Sequence, residues 1–212
     1  MHHVMFDIDG TLVKSYDFDT KCFIEAVKEE IGISLDGNWS KFKHVTDSGI
    51  LNEIITSNGL QKQKEKIHES VKKIFVSKIE AYLQQNSISQ IEGASTFLSQ
   101  LRKRNNVFIS IATGGWYESA ILKLQYADID IKGIPIVSSN DHFSRTEIMK
   151  LASKKVETDH NLAISYFGDG SWDKKACENL GYNFIAVGNR VEHHQSIYDF
   201  SSIDKAIEYI DL

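Results

Sequence analysis

Four short apolar runs, Val107–Ala112, Ile134–Val137, Ile164–Phe167 and Phe184–Val187, limit what this chain can fold into more than any other feature. Each is nearly continuous rather than alternating in and out, as strands are when helices cover both faces of a parallel sheet. Helical spacings separate them: Ala94/Phe97/Leu98/Leu101, Ala120/Ile121/Leu124, Ile148/Leu151/Ala152 and Ala176/Cys177/Leu180, with Ile203/Ala206/Ile207/Ile210 after the last run. Val4–Ile8 adds a fifth strand at the start, and such strict β/α alternation predicts a doubly wound α/β domain with a parallel sheet. The alternation is interrupted once. Between residues 14 and 90 nothing reads as a strand. Phe18, Phe23, Ala26, Val27 and Ile31 recur there at helical spacing, and Ile67, Val71, Ile74, Phe75, Ile79, Tyr82 and Leu83 define a long amphipathic helix near 62–85. A shorter helix runs through Ile50, Ile54 and Ile55 and ends near Asn58-Gly59. The expected organisation is an α/β core of residues 1–13 and 88–212, with residues 14–87 as an all-helical insertion.

Charge separates the same two parts. Residues 14–90 carry 11 basic and 11 acidic side chains, every basic one a lysine, so the whole net charge of −5 lies outside them. That mild acidity offers nucleic acid no electrostatic footing, and none is expected as a partner. No apolar run approaches the length of a membrane span, so no membrane partner is expected either. Residues 1–8 read as a strand with an acidic residue inside it, not as a secretory leader. Cys22 and Cys177 are too few for a disulfide framework and lack metal-ligand spacing. A cytoplasmic location is expected; the oligomeric state is not legible.

In an open parallel sheet, ligands bind beyond the carboxyl ends of the strands. The residues that follow each apolar run are therefore the informative ones. Strand one ends in Asp7-Ile8-Asp9-Gly10-Thr11, the second in Thr113-Gly114-Gly115, and the fourth in Gly168-Asp169-Gly170-Ser171-Trp172-Asp173; the stretch after the third leads to Arg145, which begins a helix over Glu147–Val156. Asp7 and Asp9 are two apart and face the same way in extended chain. Carboxylates forced together repel unless a cation sits between them or one keeps its proton. With Asp169 and Asp173 added, a hard divalent ion that seeks oxygen resolves the conflict, and magnesium is the first choice. The glycines after Thr113 let backbone approach a ligand, and the helix that opens at Trp116 or Tyr117 offers free N–H groups to an anion. Taken alone, each element also has an ordinary reading: a solvated turn, a helix cap at Thr113, a solvated cation at Arg145. Their convergence on one sheet edge carries the argument.

The run Asp7-x-Asp9-Gly10-Thr11-Leu12 resembles the first motif of the haloacid dehalogenase (HAD) superfamily of phosphohydrolases, Thr113 its second motif, and Gly168-Asp169-x-x-x-Asp173 its fourth. Their order, their strand-end placement and the helical insertion after the first motif extend the resemblance over essentially the whole chain. The third motif departs from the pattern: where relatives often carry Lys followed by Pro, this chain has Ser144-Arg145-Thr146-Glu147, so Arg145 is assigned as the phosphate clamp, with Lys150 as the fallback. The resemblance implies a Rossmann-like core, a helical cap, and a magnesium-dependent phosphatase of small phosphorylated metabolites. It implies Asp7 as nucleophile and Asp9 as acid/base. Magnesium would be held by Asp7, Asp169, the Asp9 carbonyl and Asp173, and phosphate by Thr113, the Gly114 N–H and Arg145. Thr11 is expected to fix the turn that aims Asp9. An acid at position 9 makes dehalogenation the wrong reaction, since dehalogenases of the superfamily lack one there.

For substrate contact from the cap, the polar stretch His44-Val45-Thr46-Asp47-Ser48-Gly49 is the best candidate, in particular Thr46, Asp47 and Ser48, although Thr46 or Asp47 also reads as a plain helix cap. Whether Lys14 or another cap lysine reaches the site, as in phosphonoacetaldehyde hydrolases, stays open. Trp116, Tyr117 and Trp172 lie beside the motifs and read as packing or as pocket lining. His193-His194 reads as a solvated turn. A sugar phosphomutase or phosphonate hydrolase would use the same residues. A phosphoacceptor signalling module or a non-catalytic phosphate-binding module is the alternative of another class; the length, the insertion and the intact acidic set count against it.

Overall fold

The computed structural model of the protein describes residues 1–156 and 162–211. Strands β1 (His2–Phe6), β2 (Val107–Ala112), β3 (Ile136–Val137), β4 (Ala163–Gly168), β5 (Asn183–Val187) and β6 (Ser196–Ile197) form one sheet in the order β3-β2-β1-β4-β5-β6. Every pairing is parallel. The chain builds outward from β1 through β2 to β3, then returns to start β4 on the other side of β1, so the order reverses beside β1. That reversal leaves a crevice at the carboxyl edge. The register places the informative residues along it: Phe6 pairs with Ile111 and with Phe167, which sets Asp7 level with the ends of both neighbours. Phe6 also stacks on the Phe167 ring at 5.1 Å, an aromatic contact that fixes β1 against β4 at the reversal.

Side-chain alternation divides β1 between two cores. Val4, Phe6 and Ile8 pack with α4 (Ala94–Arg102), α5 (Tyr117–Tyr126) and α8 (Ile203–Tyr209), whereas Met5 packs with α6 (Arg145–Lys154) and α7 (Ser171–Leu180). The sheet is thus covered on both faces, as the unbroken apolar runs predict. Strand one starts and ends two residues earlier than the pattern indicated. The third strand is two residues long rather than four, although the Ile111 N–H still reaches the Pro135 carbonyl at 2.9 Å. Strand β6 was not foreseen, because two residues carry no periodicity. Arg145 opens α6, so that helix sits two residues earlier than read from the sequence. Among the described residues no helix is long and apolar enough to cross a membrane.

The insertion is helical throughout: α1 (Tyr16–Ile31), α2 (Asp47–Ser57) and α3 (Lys64–Gln85), with short 3-10 turns at Trp39–Lys41 and Gln61–Gln63. Ile67, Val71, Phe75, Ile79 and Leu83 recur every fourth residue on α3 and are buried against Phe18, Phe23 and Val27 of α1, giving these helices a core of their own. The two connections to the sheet run side by side, with the Lys14 N–H on the Ser89 carbonyl at 2.9 Å and the Ile91 N–H on the Leu12 carbonyl at 2.8 Å. Cys22 and Cys177 are buried and unpaired.

One buried titratable group of the sheet has a measurable consequence. His3 is fully buried on β1, its Nε2 lies 2.7 Å from Ser110 Oγ, and burial lowers its pKa from 6.5 to about 4. The unfolded chain binds the proton at a higher pH than the folded one, so His3 costs nothing above 6.5 and destabilises progressively as pH falls towards 4. Relative to His3→Gln, the wild type is expected to lose about 3 kcal/mol over that interval. Urea titrations of both proteins at pH 7 and pH 4.5 check this, and a difference that does not change with pH refutes it.

Candidate active site

The carboxyl ends of β1, β2 and β4 surround one cavity of about 550 Å³, counting its mouth, which the 45–50 stretch and α1 close from the other side. Asp7 follows β1 directly, with its own N–H on the Phe167 carbonyl at 3.0 Å, so the pairing that ends the strand also places the side chain. The next turn folds back on itself: the N–H groups of Thr11, Leu12 and Val13 all reach the Ile8 carbonyl. Gly10 takes φ +78° there, and a Cβ at that position would collide with the Asp169 carboxylate, so glycine is required on two counts. Backbone holds this turn. The Thr11 N–H makes one of those bonds, while its hydroxyl is buried without a hydrogen-bond partner among the described residues.

Asp7, Asp169 and Asp173 are buried, and each can turn an oxygen to within 4.8 Å of the others. Asp169 and Asp173 are placed by the turn into α7, where the Asp173 carboxylate accepts the Gly170 N–H at 3.0 Å. Burial is the main cause that raises all three pKa values from 3.8, to about 7 for Asp7 and Asp169 and about 6 for Asp173. Arg145 works against burial at Asp7 and Asp173, and Arg190 does so at Asp169. Asp7 Oδ1 and Asp169 Oδ1 are sealed from solvent without a hydrogen-bond partner. Three buried carboxylates with two orphaned oxygens are a donor set for a hard divalent cation, and the residues present fit magnesium in that respect. The Asp9 side chain is not part of this set. It is turned towards α5, so only its backbone could join, as the resemblance implies.

Arg145 is buried, with Nη1 at 2.8 Å from Asp173 and 3.6 Å from Asp7, and it donates to the Tyr166 hydroxyl at 3.2 Å and to the Val45 carbonyl at 3.1 Å. A Cβ on Gly114 would strike this guanidinium, so the glycine is what lets the two approach. Lys150, the fallback, is exposed and bonded to Glu147 at 2.8 Å, away from the cavity. Thr113 is buried at the end of β2, and its hydroxyl accepts the Gly115 N–H at 3.2 Å.

The 44–49 stretch is bonded down onto the core. The Asp47 N–H reaches the Gly114 carbonyl at 2.8 Å, and the Asp47 carboxylate accepts the Trp116 N–H at 2.8 Å. Thr46 is the N-cap of α2, accepting the Gly49 N–H at 3.0 Å while its hydroxyl donates to the Phe143 carbonyl at 2.7 Å. Thr46 and Asp47 line the cavity; Ser48 does not, because its hydroxyl donates to the Ser139 carbonyl and accepts the Trp116 indole N–H. Trp116 is buried in the insertion's core, Trp172 lines the cavity and Tyr117 is exposed.

Three groups escaped the sequence reading. Lys123 on α5 is fully buried, with Nζ at 2.6 and 2.7 Å from the two Asp9 oxygens and 2.7 Å from Asp19. Asp19 of α1 also faces the cavity. Arg190, beyond β5, pairs with Asp169 at 2.6 Å and lies 3.4 Å over the Tyr16 ring. Lys123 had a signal: it falls on the apolar stripe of Ala120 and Leu124, where a lysine must find partners or not be buried. Arg190 had one too, as a strand-end residue. Asp19 had none.

Residues 4–187 match the model of one family, the haloacid dehalogenase-like hydrolases. The chain belongs to that family. It is therefore an enzyme of the hydrolase class. Solved structures similar to this HAD-like chain include a hydrolase from Pseudomonas syringae (24% identity over 92% of this chain and 88% of that one, TM-score 0.70). A beta-phosphoglucomutase from Clostridium difficile is similar over the full length of both chains (18% identity, TM-score 0.73). A predicted phosphoglycolate phosphatase from Haemophilus somnus is similar over 97% of both (17% identity, TM-score 0.67). At these identities the likeness is one of fold. No curated protein matches the sequence.

Proposed function

We propose that this HAD-like hydrolase is a magnesium-dependent phosphatase that cleaves a small phosphorylated metabolite through an aspartyl-phosphate on Asp7. The observation that carries the reading is the gathering of Asp7, Asp169 and Asp173 with Arg145 and Thr113 at one end of one cavity. Asp7 attacks phosphorus in line with the leaving oxygen; the bond to the leaving group breaks as the bond to the carboxylate forms. Asp9 gives the departing oxygen its proton and later takes one from the water that cleaves the acyl phosphate. Arg145, the Thr113 hydroxyl and the Gly114 N–H hold the non-bridging oxygens, where charge is concentrated. Asp7, Asp169, Asp173 and the Asp9 carbonyl would hold magnesium, which when bound would supply positive charge that offsets repulsion between the nucleophile and the phosphate.

Residues 14–87 act as a cap in this reading, and the bonds from Asp47 to Gly114 and Trp116 are what closes it and keeps bulk water from the acyl phosphate. The purified protein, assayed with an aryl phosphate, is expected to release inorganic phosphate with magnesium, to stop in EDTA, and to recover when magnesium is restored. Release that continues unchanged in EDTA overturns the metal-dependent reading.

A further inference from the structure

We infer that the leaving group this cavity accepts carries a positively charged amine, so that the substrate is an aminoalkyl phosphate rather than a bisphosphate or a phosphorylated acid. The inference rests on the phosphatase reading above and names its substrate class. Once the phosphoryl group is placed at Asp7, the leaving group must extend towards the cap. The cavity-lining residues there include Asp19 and Asp47; among the described residues the one cation in the lining, Arg145, is spent on Asp173 and on the Val45 carbonyl. The cations nearest that side are already committed: Lys123 to Asp9 and Asp19, and Arg190 to Asp169 with its face on Tyr16. A second phosphate or a carboxylate would meet Asp9, Asp19 and Asp47, which share the single charge of Lys123, and adding an anion to that excess costs several kcal/mol in a dry site.

An ammonium group finds the opposite. Asp47 is more than nine-tenths buried and lines the cavity, one oxygen accepts the Trp116 N–H, and among the described residues the other takes no hydrogen bond. Burial, followed by the neighbouring Asp19, pushes its carboxyl well above the usual range, with Lys123 only partly offsetting this. A cation brought to that oxygen relieves the conflict. Tyr16, Phe23 and Trp39 also line the cap side and bring no further cation to it.

Three phosphate esters of nearly equal size separate the possibilities: O-phosphoethanolamine, 2-hydroxyethyl phosphate and phosphoglycolate, with leaving groups that are cationic, neutral and anionic. The wild type with magnesium is expected to favour the first over the second by about tenfold in kcat/KM and over the third by about a hundredfold, as one and two charge-assisted contacts would give. Asp47→Asn keeps an oxygen for the Trp116 N–H and removes the charge, and it should shrink the cationic-over-neutral ratio about tenfold. Equal rates on all three esters, or preference for the anionic one, overturn the inference while turnover of an aryl phosphate leaves the phosphatase reading standing. Absence of release from every ester, the aryl phosphate included, removes that reading and this inference with it.

Discussion

Asp7→Asn is expected to abolish turnover and, in the same metal-free protein, to raise the melting temperature. The loss follows from the proposed role: the amide cannot form the acyl phosphate, and removal of a covalent nucleophile costs on the order of 10⁴-fold or more in kcat. The gain follows from the site. Burial, aided by Asp173 and Asp9 and only partly opposed by Arg145, raises the Asp7 pKa from 3.8 to about 7, so the folded protein holds its ionised form at a cost. Asparagine is neutral and nearly isosteric. A group with a raised folded pKa contributes fully below its unfolded value and loses that contribution as pH rises through the folded one. The difference between variant and wild type should therefore be small near pH 4, widen up to about pH 7, and reach a few kcal/mol there, or roughly 5–10 °C for a chain of this size. Magnesium should narrow the gap, because the ion would be held better by the wild-type carboxylate. Melting curves at pH 4.5 and 7.5 with phosphate-release assays check both halves. Residual turnover near the wild-type rate removes the nucleophile, and a variant that melts lower than the wild type removes the account of strain at the triad.

Most of the architecture is legible in the chain because its causes are local. Unbroken apolar runs such as Val107–Ala112 require cover on both faces, and the fourfold repeat of Ile67, Val71, Phe75, Ile79 and Leu83 requires one partner along a whole helix; both requirements are met. The gathering of Asp7, Thr113, Arg145 and Asp169 at one edge is legible for a related reason, since parallel register brings strand ends level. What escapes depends on contacts that no periodicity encodes. The partner of Asp9 lies 114 residues away on α5, and the partner of Asp169 lies on the loop after β5, outside the matched motifs. Thr11 shares in holding its turn through its backbone N–H, beside those of Leu12 and Val13 on the Ile8 carbonyl, and not through its hydroxyl, a division the residue type does not reveal. Ser48 reads like its neighbours Thr46 and Asp47, yet the helical turn at the start of α2 points it at Ser139 and Trp116. Length and hydropathy say nothing about which way a cap residue faces.

Lys123→Met is expected to be the most destabilising single change near the site, and its effect should shrink as pH falls. The ammonium group is fully buried, which by itself would lower its pKa, but Asp19 and Asp9 outweigh burial and keep it charged. Methionine fills the same space and leaves two half-buried carboxylates facing each other without a cation. Breaking a buried pair by removing one partner costs about 3–5 kcal/mol, here roughly 10 °C in melting temperature at pH 7.5. The orphaned acids can recover only by taking up protons, so the loss should shrink as pH falls towards 4. Adding Asp19→Asn to Lys123→Met removes one of the two stranded charges and should restore part of the stability, a coupling that an unrelated packing defect would not produce. Catalysis supplies a second readout. Lys123 reaches both Asp9 oxygens and Ser15 donates to one of them at 2.5 Å, so the lysine aims the proposed acid/base without touching substrate. Losing it should lower kcat about a hundredfold, within the usual worth of a placed general acid or base, and change KM little. A variant whose melting temperature matches the wild type at pH 7.5, or whose deficit is as large at pH 4.5, would show that the ammonium group is not what reconciles Asp9 with Asp19.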